Sequence, residues 1–233
     1  MPIERIERYL ETSDLGVAPS LGVESRILDD CVNEVRRRGI RGVFGSSSFG
    51  FNEDNFDFLK RIPEIEQVWF WDIHLKDIDG LYALEGLKYF GVHERRPPID
   101  FSQFVDLTKM VWHPVAEDGG LEKLSQLSQL DLWRYRPRVK SYQNLRLPRS
   151  IEKLEINWSN PPDFLGFPTL PNLYELQIYY CRNLVSLEGL GDFAPNLKKL
   201  IITRCPNLVS YQSASELDLS HCLIRVKDKI LSF

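Results

Sequence analysis

The chain has 233 residues, 43% of them hydrophobic and 27% charged, with a formal net charge of −4 at pH 7. That balance is ordinary for a water-soluble domain and supplies no basic face for a phosphate backbone, so nucleic acid is not an expected partner. No stretch approaches the roughly 18 uninterrupted apolar residues of a membrane span, and the start MPIERIERYLET is charged where a secretion signal is apolar, so a cytoplasmic protein with no membrane partner is expected.

Taken in chain order, residues 1–39 read as an N-terminal capping segment. Ile27, Leu28, Cys31, Val32 and Val35 fall at helical spacing, with Glu24, Asp29 and Asp30 early and Arg36, Arg37 and Arg38 late. Gly39 supplies the stop. The expectation is an amphipathic helix lying over the open end of a stack, preceded by an irregular lead-in containing Gly16, Pro19 and Gly22.

From Ile40 onward an apolar pattern of the form L-x-x-L-x-L returns at intervals of 17 to 25 residues, and a period of that length is the mark of a stacked repeat protein. A weak first copy holds Ile40 and Val43. The anchors then run Ile65, Val68, Phe70; Leu87, Phe90, Val92; Leu107, Met110, Trp112; and Leu127, Leu130, Leu132. They continue as Ile151, Leu154, Ile156; Leu173, Leu176, Ile178; and Leu197, Leu200, Ile202, with Ala214, Leu217 and Leu219 as a closing copy. This assigns residues 40–222 to eight or nine repeats and 223–233 to a C-terminal cap or closing strand.

In LYELQIYYCRNLVSLEGL and LKKLIITRCPNLVSY the strand pattern is followed three residues later by Cys181 and Cys205, and Cys222 stands at the same distance from Leu219. Over residues 40–222 the chain resembles the leucine-rich repeat family, whose consensus places Asn or Cys there. The resemblance implies an α/β solenoid: a curved parallel β-sheet on the concave side, short turns or 3-10 segments on the convex side, and a helical cap at the N-terminus. Earlier repeats depart from the family pattern, with Ile73, Arg95, Val115, Tyr135 and Ser159 in that slot. The three cysteines are expected to pack as small buried thiols rather than to form disulfides or bind metal, and Cys31 to be core as well.

Because strand side chains alternate, residues between the anchors point to the opposite, concave face. Trp69, Trp71 and Trp133 fall there and Trp158 on the rim, while Trp112 alone is an anchor. Exposed large aromatics mark binding surfaces. The expected protein-binding set is Trp69, Trp71, Tyr89, His93, His113, Asp131, Trp133, Arg134, Glu155, Trp158, Glu175 and Tyr179. A terminal segment folded across the sheet, or tryptophans packed on one another, would give the same pattern. The basic run of Arg134, Arg136, Arg138 and Lys140 in WRYRPRVK reads either as a contact for an acidic loop or as a solvated loop.

No phosphate-cradling or nucleophile-elbow motif is present, and GSSSFG at 45–50 reads as a turn. His93 and His113 occupy one column on adjacent strands, about 5 Å apart, where two imidazoles can share a metal or sense pH; no third ligand is evident. The expected catalytic residues, cofactors and metals are therefore none. The function expected is a non-catalytic module that binds another protein, a toxin or an enzyme. The family resemblance implies an immunity protein of a bacterium, with a regulatory or scaffolding subunit as the alternative and an effector-type enzyme behind both.

Overall fold

A computed structural model describes residues 3–13, 18–227 and 229–232. The chain forms two compact units, residues 1–120 and 121–233. Each carries an open, mostly parallel sheet whose strands follow chain order.

In the first unit β1 (Glu4–Ile6), β2 (Tyr9–Thr12) and β3 (Ser20–Gly22) pair antiparallel. From β3 the direction becomes parallel through β4 (Gly42–Ser46), β5 (Gln67–Trp71), β6 (Tyr89–Val92) and β7 (Lys109–Trp112). Helix α1 (Leu28–Arg38) joins β3 to β4. Its acidic first turn and basic last turn suit the helix dipole. Gly39 ends it in the left-handed conformation, at φ +65°, with its N–H on the carbonyls of Val35 and Arg36.

The helix is thus the return segment of a first β-α-β unit and not a lid on the stack. At the sheet edge stands the β1–β2 hairpin instead, whose charged, exposed β1 discourages further pairing. The lead-in expected to be irregular contains β3, where Leu21 is fully buried and pairs with Val43; Gly16 lies outside the described residues.

In the second unit β8 (Gln129–Trp133), β9 (Lys153–Asn157), β10 (Glu175–Tyr179), β11 (Lys199–Thr203) and β12 (His221–Val226) run parallel, and β13 (Lys229–Ser232) returns antiparallel on β12. Two single-turn helices, α2 (Leu190–Phe193) and α3 (Gln212–Ser215), lie in the returns.

Every anchor from Ile65 to Ile202 is buried. The last repeat is in a different register from the one expected. Cys222 pairs with Leu200 and Ile224 with Ile202, so these two are the anchors, while Leu217 and Leu219 lie before the strand and are only partly buried. Cys222 is therefore a strand residue and not a turn residue. The outward row on β12 is His221, Leu223 and Arg225.

The returns begin alike in both units. Side chains of Asn55, Asp77 and Asp100 in the first, and of Ser141, Asp163 and Ser186 in the second, accept the backbone N–H two residues on. Such Asx and Ser turns reverse the chain locally and let a short 3-10 turn follow, as at Asp57–Arg61 and Asp79–Ala83. Leu59 and Leu81 from those turns are fully buried and complete the core behind the sheet.

Candidate functional site

Outward residues of the first unit pack on one another. Trp69 stacks on Tyr89 with ring centroids 5.8 Å apart, meets Trp71 at 6.2 Å, and Trp71 in turn stacks on Phe44 at 6.3 Å. Trp69 has room to lie flat because β6 carries Gly91 beside it, where a Cβ would come within 2.3 Å of the indole. Lys109 places its ammonium 5.3 Å from the Tyr89 ring centre. The consequence is that Trp69 and Trp71 are only half-buried, whereas Tyr89 is 3% exposed and offers no free face. The alternative in which the tryptophans pack together describes much of this side.

At the ends of β6 and β7 the two histidines do meet, with ring centroids 4.7 Å apart and planes tilted by 46°. His113 is buried, not displayed as a binding surface requires. Glu94 joins the pair: its Oε2 lies 3.0 Å from His113 Nδ1 and 3.6 Å from His93 Nε2. Strict strand alternation assigns Glu94 to the opposite side from His93. β6 ends at Val92, however, so the alternation no longer applies and the carboxylate folds back.

The loop behind this cluster is fixed by a buried ion pair. Arg96 donates to Asp118 from both terminal guanidinium nitrogens at 2.8 Å each, with side chains 0% and 1% exposed. Asp118 also accepts from the Trp112 indole N–H and the backbone N–H groups of Ile99 and Val115. Arg96 further donates to the carbonyl of His113 at 3.2 Å, which ties the histidine's backbone to the pair. Neither residue follows from the repeat pattern. Arg95 holds the slot that the consensus gives to Asn or Cys and is exposed, while its neighbour turns inward.

The second unit has a different edge. Arg134, Trp158, Tyr180 and Arg204 each follow the last residue of a strand and each adopts a left-handed backbone, with φ of 55°, 58°, 57° and 58°. The N–H groups of the first three extend the ladder by one bond: Arg134 to the Asn157 carbonyl, Trp158 to Tyr179 and Tyr180 to Thr203. A shared conformation puts the side chains in a column. Trp158 and Tyr180 stack 4.7 Å apart, within 2° of parallel, and the Arg204 guanidinium lies 5.2 Å from the Tyr180 ring centre.

Beside this column the outward strand residues form a hydrogen-bonded lattice. Glu175 sits between Lys199 at 2.8 Å and Lys153 at 4.0 Å and accepts from Gln177 at 2.6 Å. The Lys199 hydrogen bond outweighs burial and lowers the Glu175 carboxyl below its usual range. Glu155 accepts from Asn157 at 2.6 Å, and Tyr179 donates to Gln177. Asp131, Trp133, Glu155, Trp158, Glu175 and Tyr179 are all partly exposed, and Arg134 is exposed. Arg136, Arg138 and Lys140 are exposed, with Arg136 donating to the Trp158 carbonyl at 3.1 Å.

All four cysteines are free and buried. Cys181 and Cys205 occupy the turn slot and direct their thiols to the carbonyls of Tyr179 and Thr203. The neighbouring Cys205 thiol, reinforced by burial, raises the Cys181 thiol above its ordinary range. Ser159 fills the same slot one repeat earlier, accepting from the buried Tyr142 hydroxyl at 2.9 Å and donating to the Tyr135 carbonyl at 3.0 Å. Among the described residues no helix is long and apolar enough to cross a membrane. Compared with known proteins, the chain matches no family model and no curated sequence, so the family reading rests on its repeat pattern alone.

Proposed function

We propose that the protein is a non-catalytic binding module of the leucine-rich repeat kind, whose outward residues grip another protein. The observation that supports this best is the Trp158–Tyr180–Arg204 column of the second unit, already stacked and partly open to solvent. Aromatic and arginine side chains held in place lose little freedom on docking, which is why such residues dominate interface energetics. Asp131 and Glu155, beside the column, favour a partner presenting basic groups. In the first unit Trp69 and Trp71 are the half-open counterparts.

The narrower reading is an immunity protein of a bacterium that neutralises a toxin, and it rests on resemblance. Its test is recovery of the partner from native lysate followed by co-expression of the two chains. Protection of cells from the partner's toxicity is the expected result. A partner that is harmless alone rejects the immunity reading in favour of a regulatory or scaffolding role. For the binding face, Trp158→Ala with Tyr180→Ala should weaken capture of that partner at least tenfold, and undiminished capture rejects the face.

A further inference from the structure

We infer that His93, Glu94 and His113 form a binding site for one divalent transition-metal ion such as Zn²⁺ or Co²⁺. Each residue offers one ligand atom, and the three atoms lie within 4.8 Å of one another. Two imidazole nitrogens and a carboxylate are the donor set of many open zinc sites. With metal–ligand bonds of about 2.0–2.1 Å, donors around a tetrahedral ion stand about 3.3 Å apart. The measured 3.0 Å and 3.6 Å from Glu94 Oε2 to the two rings fall on either side of that value.

His93 keeps its cluster-facing nitrogen available. Its Nε2 is 3.6 Å from the Glu94 carboxylate, beyond hydrogen-bonding range, while Nδ1, directed away from the cluster, is buried with no hydrogen-bond partner among the described residues. An ion between the rings binds His93 Nε2 and replaces the proton shared by His113 Nδ1 and Glu94, which moves to the far ring nitrogen of His113 or to solvent.

The supporting frame is rigid. Arg96, neutralised by Asp118, holds the His113 carbonyl, and β6 and β7 are paired through Val92 and Trp112, so both histidines leave adjacent hydrogen-bonded strands in step. Three protein ligands leave a coordination position for water or for a group on a partner. Binding of the ion requires nothing of the protein-binding reading above, and either can fail alone.

The test is titration of the full chain, stripped with EDTA and desalted, with CoCl₂ near neutral pH. Expected are visible ligand-field bands that saturate at one equivalent and are displaced by ZnCl₂. Glu94→Gln and His113→Gln should each weaken apparent affinity at least tenfold, whereas His74→Ala and His221→Ala, on exposed histidines, should not change it. Wild-type protein supplies a readout that no folding defect can mimic: in histidine NMR spectra Zn²⁺ should shift the His93 and His113 rings and leave those of His74 and His221 in place. Absence of a saturating cobalt spectrum, a thiolate-to-cobalt charge-transfer band, or unchanged affinity in Glu94→Gln overturns the proposal.

Discussion

The two units solve the exit from a parallel strand in opposite ways. In the second, the residue after β8, β9, β10 and β11 turns left-handed each time, and the resulting column stacks in the open. In the first, Asp72 after β5 makes that turn, but Glu94 and Pro114, in register with it two residues beyond β6 and β7, do not; there the chain is pinned by the buried Arg96–Asp118 pair. A left-handed non-glycine residue costs about 1–2 kcal/mol. Added ladder bonds and ring stacking offset this cost in the second unit, whereas in the first an ion pair does the holding. Repetition therefore keeps the strand and leaves the exit to local chemistry, and it is at the exits that both the stacked column proposed for binding and the proposed metal cluster occur.

The largest expected effect tests the first unit's solution. Asp118→Ala leaves the Arg96 charge buried and strips the indole N–H of Trp112 and two backbone N–H groups of their acceptor. A loss of about 3–5 kcal/mol is expected for breaking a buried pair in this way, measured by urea unfolding. Replacing both partners together, as Arg96→Met with Asp118→Leu, should cost less than Asp118→Ala alone. Equal losses would mean that the loop is held by the other donors and not by the pair. The core of the second unit sets the comparison: Leu176→Ala empties a fully buried anchor and should cost about 2–5 kcal/mol.

A subtler pair of substitutions separates backbone from side chain in the second unit's column. Tyr180→Ala removes the stack on Trp158 and the Arg204 contact but keeps the left-handed strain, for an expected loss of about 0.5–1.5 kcal/mol. Tyr180→Gly removes the same contacts but relieves the strain at φ +57°. Glycine should therefore be less destabilising than alanine by unfolding measurement. If alanine proves the milder of the two, chain entropy outweighs backbone strain at this exit.

What was legible in the sequence follows from the same contrast. Anchors such as Leu130, Leu154 and Leu176 announce themselves because an identical burial problem recurs in each repeat, and all are buried. The last repeat misled because Leu217 and Leu219 spell the same alternation as Cys222 and Ile224, and only pairing with Leu200 and Ile202 decides between them. β3 was invisible since three residues with one anchor carry no period. Glu94 is not evident as a third group beside the histidines because alternation places it on the opposite side and holds only inside a strand, and the link from Arg96 to Asp118 joins residues 22 apart through a loop. The outward tryptophans were located correctly on their strands, but their packing against Tyr89, Phe44 and Gly91 depends on neighbouring strands that one repeat does not display.

The smallest expected effect contrasts two carboxylates. Asp118 in the first unit is enclosed, whereas Glu175 in the second lies on the outward lattice with Lys199, whose side chain is 39% exposed. The Glu175 carboxyl is lowered chiefly by the Lys199 hydrogen bond. Its folded-state pKa is thus below that of the unfolded chain, so the stability it contributes is present above the unfolded value, about 4.3, and is lost as pH falls through the lowered one. Solvent screening limits the pair to about 0.5 kcal/mol. Lys199→Met should therefore be less stable than wild type by about that amount at pH 7, with the difference shrinking below about pH 4 and also on addition of salt. A difference that persisted undiminished on acidification would mean that the lysine acts through the packing of its stem and not through the carboxylate. Lys153, 4.0 Å from the same carboxylate, would then be the group to replace next.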